Sequence, residues 1–99
     1  MAMNNKISID KKNTKFLQKL AKSAPKEYVK ILNFLYGILS KSDNPCTLPN
    51  AKYLQGFDDN RYRWRVGNYR IIGIVENDEF FIIKIIKIAK RDEKTYKGF

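Results

Sequence analysis

The sequence predicts an α+β domain in which an antiparallel sheet of about four strands, mixed at one edge, packs against an N-terminal pair of helices. Apolar residues recur at helical spacing in the first 40 residues, whereas alternating and continuous apolar segments fill residues 61–89. Such a separation of helices from strands along the chain is typical of α+β domains. With 99 residues, the chain should form one domain, 1–99, that folds alone.

The first 40 residues predict a short edge strand followed by a helical hairpin. The strand is Lys6–Ile9, and Asp10 is suited to cap a helix over residues 12–22. Pro25 is suited to the first position of a second helix, which we expect to end near Ser40. The hairpin, about 12–40, should cover one face of the sheet. The apolar stripe expected on its second helix is Val29, Leu32, Tyr36 and Leu39, widened by Ile31, Leu35 and Ile38.

A loop over about 41–60 and a β-meander over about 61–89 complete the predicted fold. The loop is rich in Pro, Gly, Asn and Asp, and we expect Leu54 and Phe57 to hold it to the core. In the meander, Gly67-Asn68 predicts a two-residue hairpin turn. That turn places Arg65 directly opposite Arg70, although like charges in opposite positions destabilise a sheet.

The register of the last strand is less certain from the sequence. A two-residue turn at Asn77-Asp78 would set Arg70 opposite Ile85 and would put Lys84 on the face that the helices cover. The cationic face would then receive Phe81, Ile83, Ile85 and Lys87. Because an ammonium group is unfavourable under the helices, three alternatives remain: a longer turn, a bulge that shifts the phase, or an exit of Lys84 along a sheet edge.

The charge of the chain indicates a polyanionic partner. Twenty Lys and Arg against ten Asp and Glu give a net charge of +10 and a pI near 9.8. The chain has no histidine and one cysteine, Cys46, so we expect no disulfide, no bound metal and no cofactor. No apolar segment is long enough to predict a signal peptide or a membrane span, so we expect a cytoplasmic protein.

The candidate site is a set of cations on and after the meander. Guanidinium groups match phosphate oxygens in pairs and stay charged at any working pH, so they can bind a backbone or stabilise charge that develops on phosphorus. The set consists of Arg61, Arg63, Arg65, Arg70, Lys87, Lys90 and Arg91, with Tyr69 and Tyr96 nearby.

The segment R-x-R-V-G-x-Y-R at 63–70, the apolar strand after it and the I-A-K-R that ends at Arg91 resemble the RelE/ParE superfamily of bacterial toxins. The resemblance covers nearly the whole chain. RelE-like members cleave messenger RNA in the ribosomal decoding site, where the ribose 2′-hydroxyl attacks the adjacent phosphate. For this chain, the resemblance implies that Arg70 and Arg91 hold the phosphate, and that Tyr96 stacks on a base or transfers a proton. It implies that Arg63 and Arg65 support the phosphate or ribosomal RNA, and that Lys87 and Lys90 stand where relatives often have further basic or histidine residues. We count Arg65 with Arg70, Arg91 and Tyr96 as catalytic, and Arg61, from its charge and its strand face, with Arg63, Lys87 and Lys90 as RNA-binding.

The resemblance also implies partners and leaves alternatives open. A toxin of this superfamily is expected to bind a cognate antitoxin, and a RelE-like one also binds messenger RNA and the ribosome. The alternatives are a ParE-like toxin that acts on DNA gyrase without cleaving RNA, and a basic RNA-binding or ribosome-binding protein without catalysis. Arginines cannot act as ordinary general bases, so the groups left for proton transfer are Lys87, Lys90, Glu93 and Tyr96.

Overall fold

The computed structural model describes residues 5–77 and 81–90 and confirms the predicted α+β class. Within these residues the sheet has five strands, against about four predicted. Asn33–Leu39 continues the second helix as a π-helix, and Pro45–Thr47 forms a short 3-10 turn. The elements follow one another as β1 (Lys6–Ile9), α1 (Lys11–Ser23), α2 (Pro25–Leu32), β2 (Ala51–Tyr53), β3 (Arg61–Val66), β4 (Tyr69–Asn77) and β5 (Phe81–Lys90).

Both predicted helix starts are confirmed. The Asp10 carboxylate accepts a hydrogen bond from the backbone N–H of Asn13 at 2.9 Å, which satisfies one of the open donors at the start of α1. Pro25 occupies the first turn of α2, where the missing N–H costs nothing. The two helices are joined only through Ala24, so they form the expected hairpin.

The buried stripe of the second helix differs from the predicted one. Ile31 and Leu35 are fully buried, together with Leu39, whereas Val29 and Tyr36 are about half exposed. The fully buried residues of this stripe are therefore spaced four apart, at Ile31, Leu35 and Leu39. The final turns are wider than in an α-helix, as shown by the hydrogen bond from Ser40 N–H to the carbonyl of Leu35 at 3.0 Å, and this widening changes the angular position of the side chains that follow.

The sheet has the strand order β1-β5-β4-β3-β2 and is mixed at one edge, as predicted. β1 runs parallel to β5, and the other neighbours are antiparallel. α1, α2 and the π-helix pack on one face of the sheet, which we call the covered face. The core there is formed by Leu17, Leu20, Ile31, Phe34, Leu35, Leu39, Trp64, Tyr69, Ile71, Val75, Ile83, Ile85 and Ile88.

The predicted β3–β4 hairpin is confirmed, and the predicted β4–β5 register is wrong. Gly67 adopts a φ of +57° in the turn, and Arg65 lies opposite Arg70. Arg70 lies opposite Ala89 instead of Ile85, because Asn77 pairs with Phe81 across a longer turn and one extra residue of β5 interrupts the ladder beside Gly73.

The shifted register also resolves the position of Lys84. Ile83 and Ile85 lie in the core instead of on the cationic face, and Phe81 packs against that core. Lys84 lies on the face opposite to the helices, where its Nζ is 3.3 Å from Glu76 Oε2. The longer turn alone moves Lys84 out of the covered face, because the bulge comes after Ile85; the bulge places Lys87 on the open face.

The predicted 41–60 loop contains the additional strand, β2. Its pairing with β3 is extended at both ends, because Arg65 N–H donates to the Asn50 carbonyl at 3.2 Å and Leu54 N–H donates to the Arg61 carbonyl at 2.8 Å. Leu54 and Phe57 do not belong to the core; they lie on the side of a cleft described below.

Candidate nucleic-acid interface

The sheet face opposite to the helices, here called the open face, carries cations over an apolar floor. Alternation along β3 brings Arg61, Arg63 and Arg65 to this face, and the register extends it to Arg70 on β4. Ile72, between Arg63 and Lys87 across the sheet, is fully buried there. The arginine stems and the chain around them therefore shield part of this face from solvent.

A cleft of about 690 Å³ opens on this face between β2, β3, β4 and the segment after β2. Each charged side chain in its described lining is cationic. The lining consists of Lys52, Tyr53, Leu54, Gln55, Phe57, Arg63, Arg65 and Arg70. Such a concave surface, with one sign of charge and an apolar wall, concentrates anions.

The three cleft arginines have different environments. Arg70 is buried, with 8% of its surface exposed, whereas Arg65 is exposed and makes no side-chain hydrogen bond or ion pair with the described residues. Arg63 Nη1 donates to the Asn50 carbonyl at 3.3 Å, but its buried Nε has no acceptor among the described residues. An anion that enters the cleft could accept a hydrogen bond from this donor.

Arg61 holds the cleft wall instead of facing an open site. Its Nε and Nη2 donate to the two carboxylate oxygens of Asp59 at 3.1 and 2.9 Å, and its guanidinium lies 4.0 Å from the centre of the Phe57 ring. The hydrogen bonds from Arg61 lower the pKa of Asp59 below its usual value. The bidentate Arg61–Asp59 pair holds in place the segment that contributes Phe57 to the cleft lining.

The covered face anchors the strand that carries the cleft arginines. Trp64, between Arg63 and Arg65, is fully buried, and its Nε1–H donates to the Pro45 carbonyl at 2.9 Å. Nearby, burial raises the pKa of the Cys46 thiol, and a hydrogen bond with Cys46 raises the pKa of Tyr62. These contacts tie β3 to the 3-10 turn.

Two solved structures share this architecture. A chain of the RelBE2 toxin-antitoxin complex from Mycobacterium tuberculosis matches with a TM-score of 0.68, covering 89% of this chain and 99% of that one at 22% sequence identity. The YoeB/ParE toxin from Agrobacterium tumefaciens matches with a TM-score of 0.68, covering 88% and 99% at 11% identity. The chain has a RelE/ParE-like toxin fold. No protein-family model matches the sequence, and the curated proteins contain no match to it.

On this RelE/ParE-like fold, the predicted site residues fall into three groups. Arg63, Arg65 and Arg70 meet in the cleft, and Arg61 supports its wall. Lys87 lies on the open face opposite Ile72, whereas Lys90 pairs with Tyr69, which belongs to the covered face. Arg91 and Tyr96, with Glu93, lie outside the described residues.

Sequence reasoning missed the contribution of residues 52–57 to the cleft. Lys52 stands opposite Arg63, and Gln55 and Phe57 extend the lining. The signal was a weak one: Ala51-Lys52-Tyr53 alternates apolar and charged residues, as an edge strand does, but it is only three residues long and lies among turn-forming residues. A strand that short cannot be separated from a loop by periodicity.

Two further features bear on the chemistry of the described residues. No three His, Cys, Asp or Glu side chains in residues 5–77 and 81–90 lie close enough together to hold a metal ion. None of the helices in these ranges has both the length and the apolar character needed to cross a membrane. The chemistry that the described cleft offers is the binding of anions by guanidinium and ammonium groups.

Proposed function

We propose that the protein is the toxin of a type II toxin-antitoxin system and that it inhibits translation by cleaving messenger RNA in the decoding site of the ribosome. The observation that carries this proposal is the meeting of Arg63, Arg65 and Arg70 in one cleft of a RelE/ParE-like toxin fold. Three guanidinium groups and Lys52 on one concave surface match a phosphodiester of a single strand.

The proposed reaction needs charge stabilisation more than a cofactor. The 2′-oxygen attacks the adjacent phosphorus as its proton leaves, and the bond from phosphorus to the 5′-oxygen breaks as that oxygen takes up a proton. The products are a 2′,3′-cyclic phosphate and a 5′-hydroxyl. Arg65 and Arg70 stabilise the negative charge that builds on the phosphoryl oxygens, and removal of one such donor typically costs about 10²–10³ in rate. The proposal also includes Arg91, which the resemblance implies holds the phosphate, and Tyr96, which it implies stacks on a base or transfers a proton.

Lys52 is an added candidate for proton transfer. It lies opposite Arg63 and faces the cleft, and an ammonium group can release a proton to a leaving oxygen, which an arginine cannot do at ordinary pH. It joins Lys87, Glu93 and Tyr96 as a group whose substitution should alter the pH profile of cleavage, whereas loss of an arginine should lower the rate at all pH values. Lys90 is set aside as a proton-transfer group, because its pairing with Tyr69 puts it on the covered face, away from the cleft.

A cognate antitoxin is the protein partner in this proposal. One structural neighbour is a chain of a toxin-antitoxin complex, and a net charge of +10 calls for a partner that masks it in the absence of RNA. Affinity purification from the native host should recover a small acidic protein that is encoded beside this chain. Recovery of the chain alone would contradict this part of the proposal.

A second candidate is a ParE-like toxin that acts on DNA gyrase. The observation in its favour is that the described cleft lining holds no carboxylate, and the neighbour from Agrobacterium is named a YoeB/ParE toxin. A third is a basic RNA-binding or ribosome-binding protein without catalysis, which would need only the cationic cleft.

Primer extension on a message that is translated in the presence of the protein separates these candidates. We expect cuts at fixed positions within codons, reduced about 10²–10³-fold by Arg65→Gln and by Arg70→Gln. Lys84→Gln removes a charge from the same face outside the cleft lining and should leave cleavage unchanged. Uncut message during full growth arrest would refute the nuclease. Gyrase supercoiling that falls in the same extracts would then select the second candidate.

A further inference from the structure

The outer surface of α1 is a second concentration of positive charge, separate from the cleft. Between Lys11 and Lys26 the chain has six lysines and no carboxylate. Three of them, Lys15, Lys19 and Lys22, border a shallow depression of about 320 Å³ with Gln18. We call the exposed lysines of this helix the α1 lysine surface: Lys11, Lys12, Lys15, Lys19 and Lys22.

This surface points away from the cleft. The inward side of α1 carries Leu17 and Leu20, which are buried on the covered face, and Asn13, whose Oδ1 accepts a hydrogen bond from Ile88 N–H at 3.1 Å. The lysines therefore project on the opposite side of the helix. The sheet and the helix, which is about 10–12 Å in diameter, separate them from the cleft arginines.

The charge of the α1 lysine surface is not neutralised within the described part of the chain. The ion pairs there join Lys30 to Glu27, Arg61 to Asp59 and Lys84 to Glu76, and none involves a lysine of α1. Asp10, the residue before the helix, accepts hydrogen bonds from Asn13 at the helix cap and interacts electrostatically with Lys12, so it offsets at most one of the five charges. Five adjacent cations repel one another, so binding of a polyanion would stabilise this surface.

The composition of the surface favours a phosphate backbone over a protein. Its other exposed residues are Thr14, Gln18 and Ser23, so it offers no apolar anchor for a partner helix. Lysine is depleted in protein interfaces, whereas its hydrated point charge suits phosphates that need no fixed geometry. From Lys11 to Lys22 the surface extends along about 16 Å of helix, which spans several phosphates of one strand.

We propose that the α1 lysine surface binds the phosphate backbone of a folded, double-helical RNA while the cleft takes a single strand. The protein would then be held between two nucleic-acid segments, one on each side. This inference extends the proposed function, since the cleft ligand is part of it, but duplex binding by α1 does not require cleavage. Its test can therefore fail or succeed independently of the nuclease activity.

The first test compares two triple variants that lose the same charge. One is Lys15→Gln with Lys19→Gln and Lys22→Gln; the control is Lys6→Gln with Lys41→Gln and Lys84→Gln, all exposed and outside α1. The probe is a mixed-sequence double-helical RNA with 2′-O-methyl groups, which cannot undergo attack by a 2′-hydroxyl. Each lost phosphate contact lowers the slope of log K against log salt by about 0.9, so the α1 triple should lower it by about 2–3. The control should change it little.

The second test asks whether both surfaces bind at once. A labelled single-stranded 2′-O-methyl oligonucleotide should remain bound when the duplex saturates the wild type, and Arg65→Gln should weaken the single strand more than the duplex. Equal losses in the two triple variants, or displacement of the single strand by the duplex, would overturn the proposal. Thermal unfolding of both triples shows that lost binding is not lost folding: the control should melt with the wild type, and the α1 triple should melt at the same or a higher temperature because it relieves repulsion.

Discussion

Replacement of Arg65 by glutamine should stabilise the fold while it weakens the proposed activity. Arg65 is exposed, makes no side-chain hydrogen bond or ion pair with the described residues, and stands directly opposite Arg70 in the β3–β4 ladder. The substitution therefore removes a repulsion without removing a contact. Glutamine keeps most of the stem, so packing over the open face changes little.

The magnitude follows from the sheet geometry. Like charges in directly opposite positions destabilise a pair of strands by about 0.2–1 kcal/mol. For a domain of this size, 1 kcal/mol shifts the melting temperature by about 4–8 °C, so Arg65→Gln should raise it by about 1–8 °C at low ionic strength. The gain should disappear near 1 M salt, where the Debye length is about 3 Å. Cleavage should fall by about 10²–10³-fold.

Circular dichroism at low and high salt, with Arg65→Lys as the matched control, measures the effect on stability. Lysine keeps the charge, so this control should melt with the wild type at both salt concentrations. A lower melting temperature for Arg65→Gln at low salt, or a gain that persists at high salt, would refute the account of repulsion between Arg65 and Arg70. A gain without loss of cleavage would remove Arg65 from the proposed site.

Three further predictions concern the support of the cleft. Trp64→Phe leaves the buried Pro45 carbonyl without its donor and should lower the free energy of unfolding by about 2–4 kcal/mol in urea titrations; a loss below about 1 kcal/mol would show that this anchor is dispensable. Gly73→Ala places a Cβ 3.0 Å from Trp64 Cζ3 and 3.1 Å from the Lys84 carbonyl, so it should cost about 1–3 kcal/mol in the same titrations, and unchanged stability would contradict this crowding. The Arg61 hydrogen bonds lower the pKa of Asp59 in the folded state. Their contribution to the free energy of unfolding is therefore complete above the pKa of Asp59 in the unfolded chain, about 3.9, and is lost as the pH falls below it. The stability difference between wild type and Asp59→Asn should therefore shrink below about pH 4, and a constant difference from pH 3 to 6 would argue against the pair.

The parts of the fold that the sequence predicts are those with a local physical cause. Asp10 caps α1 and Pro25 starts α2 because each satisfies the backbone at that position, independent of the rest of the chain. Gly67 sets the β3–β4 turn, and with it the Arg65–Arg70 pair, because a positive φ at the turn fixes the register of both strands.

The parts that the sequence does not predict depend on distant contacts. The apolar segment from Ile82 to Ile88 reads almost equally well in either phase, so only the joint packing of Ile83, Ile85 and Ile88 against the helices selects the longer turn and the bulge. The buried side of the second helix depends on distant contacts in the same way. Val29 and Ile31 have comparable hydrophobicity, and only packing against the sheet buries Ile31 and leaves Val29 exposed.

The candidate site follows the same division. Alternation along β3 is enough to place Arg63 and Arg65 on one face, but it also places Arg61 there, and it contains no information about what each guanidinium meets. Asp59 and Phe57 lie two and four residues before Arg61, in a segment without periodicity. Their contacts with the Arg61 guanidinium hold this side chain in the wall of the cleft. The open face thus divides its arginines between two tasks. Arg61 holds the loop that shapes the cleft, whereas Arg65 is exposed in the cleft and can meet an anion. Substitutions of Arg61 should therefore act through stability and cleft shape, and those of Arg65 through charge.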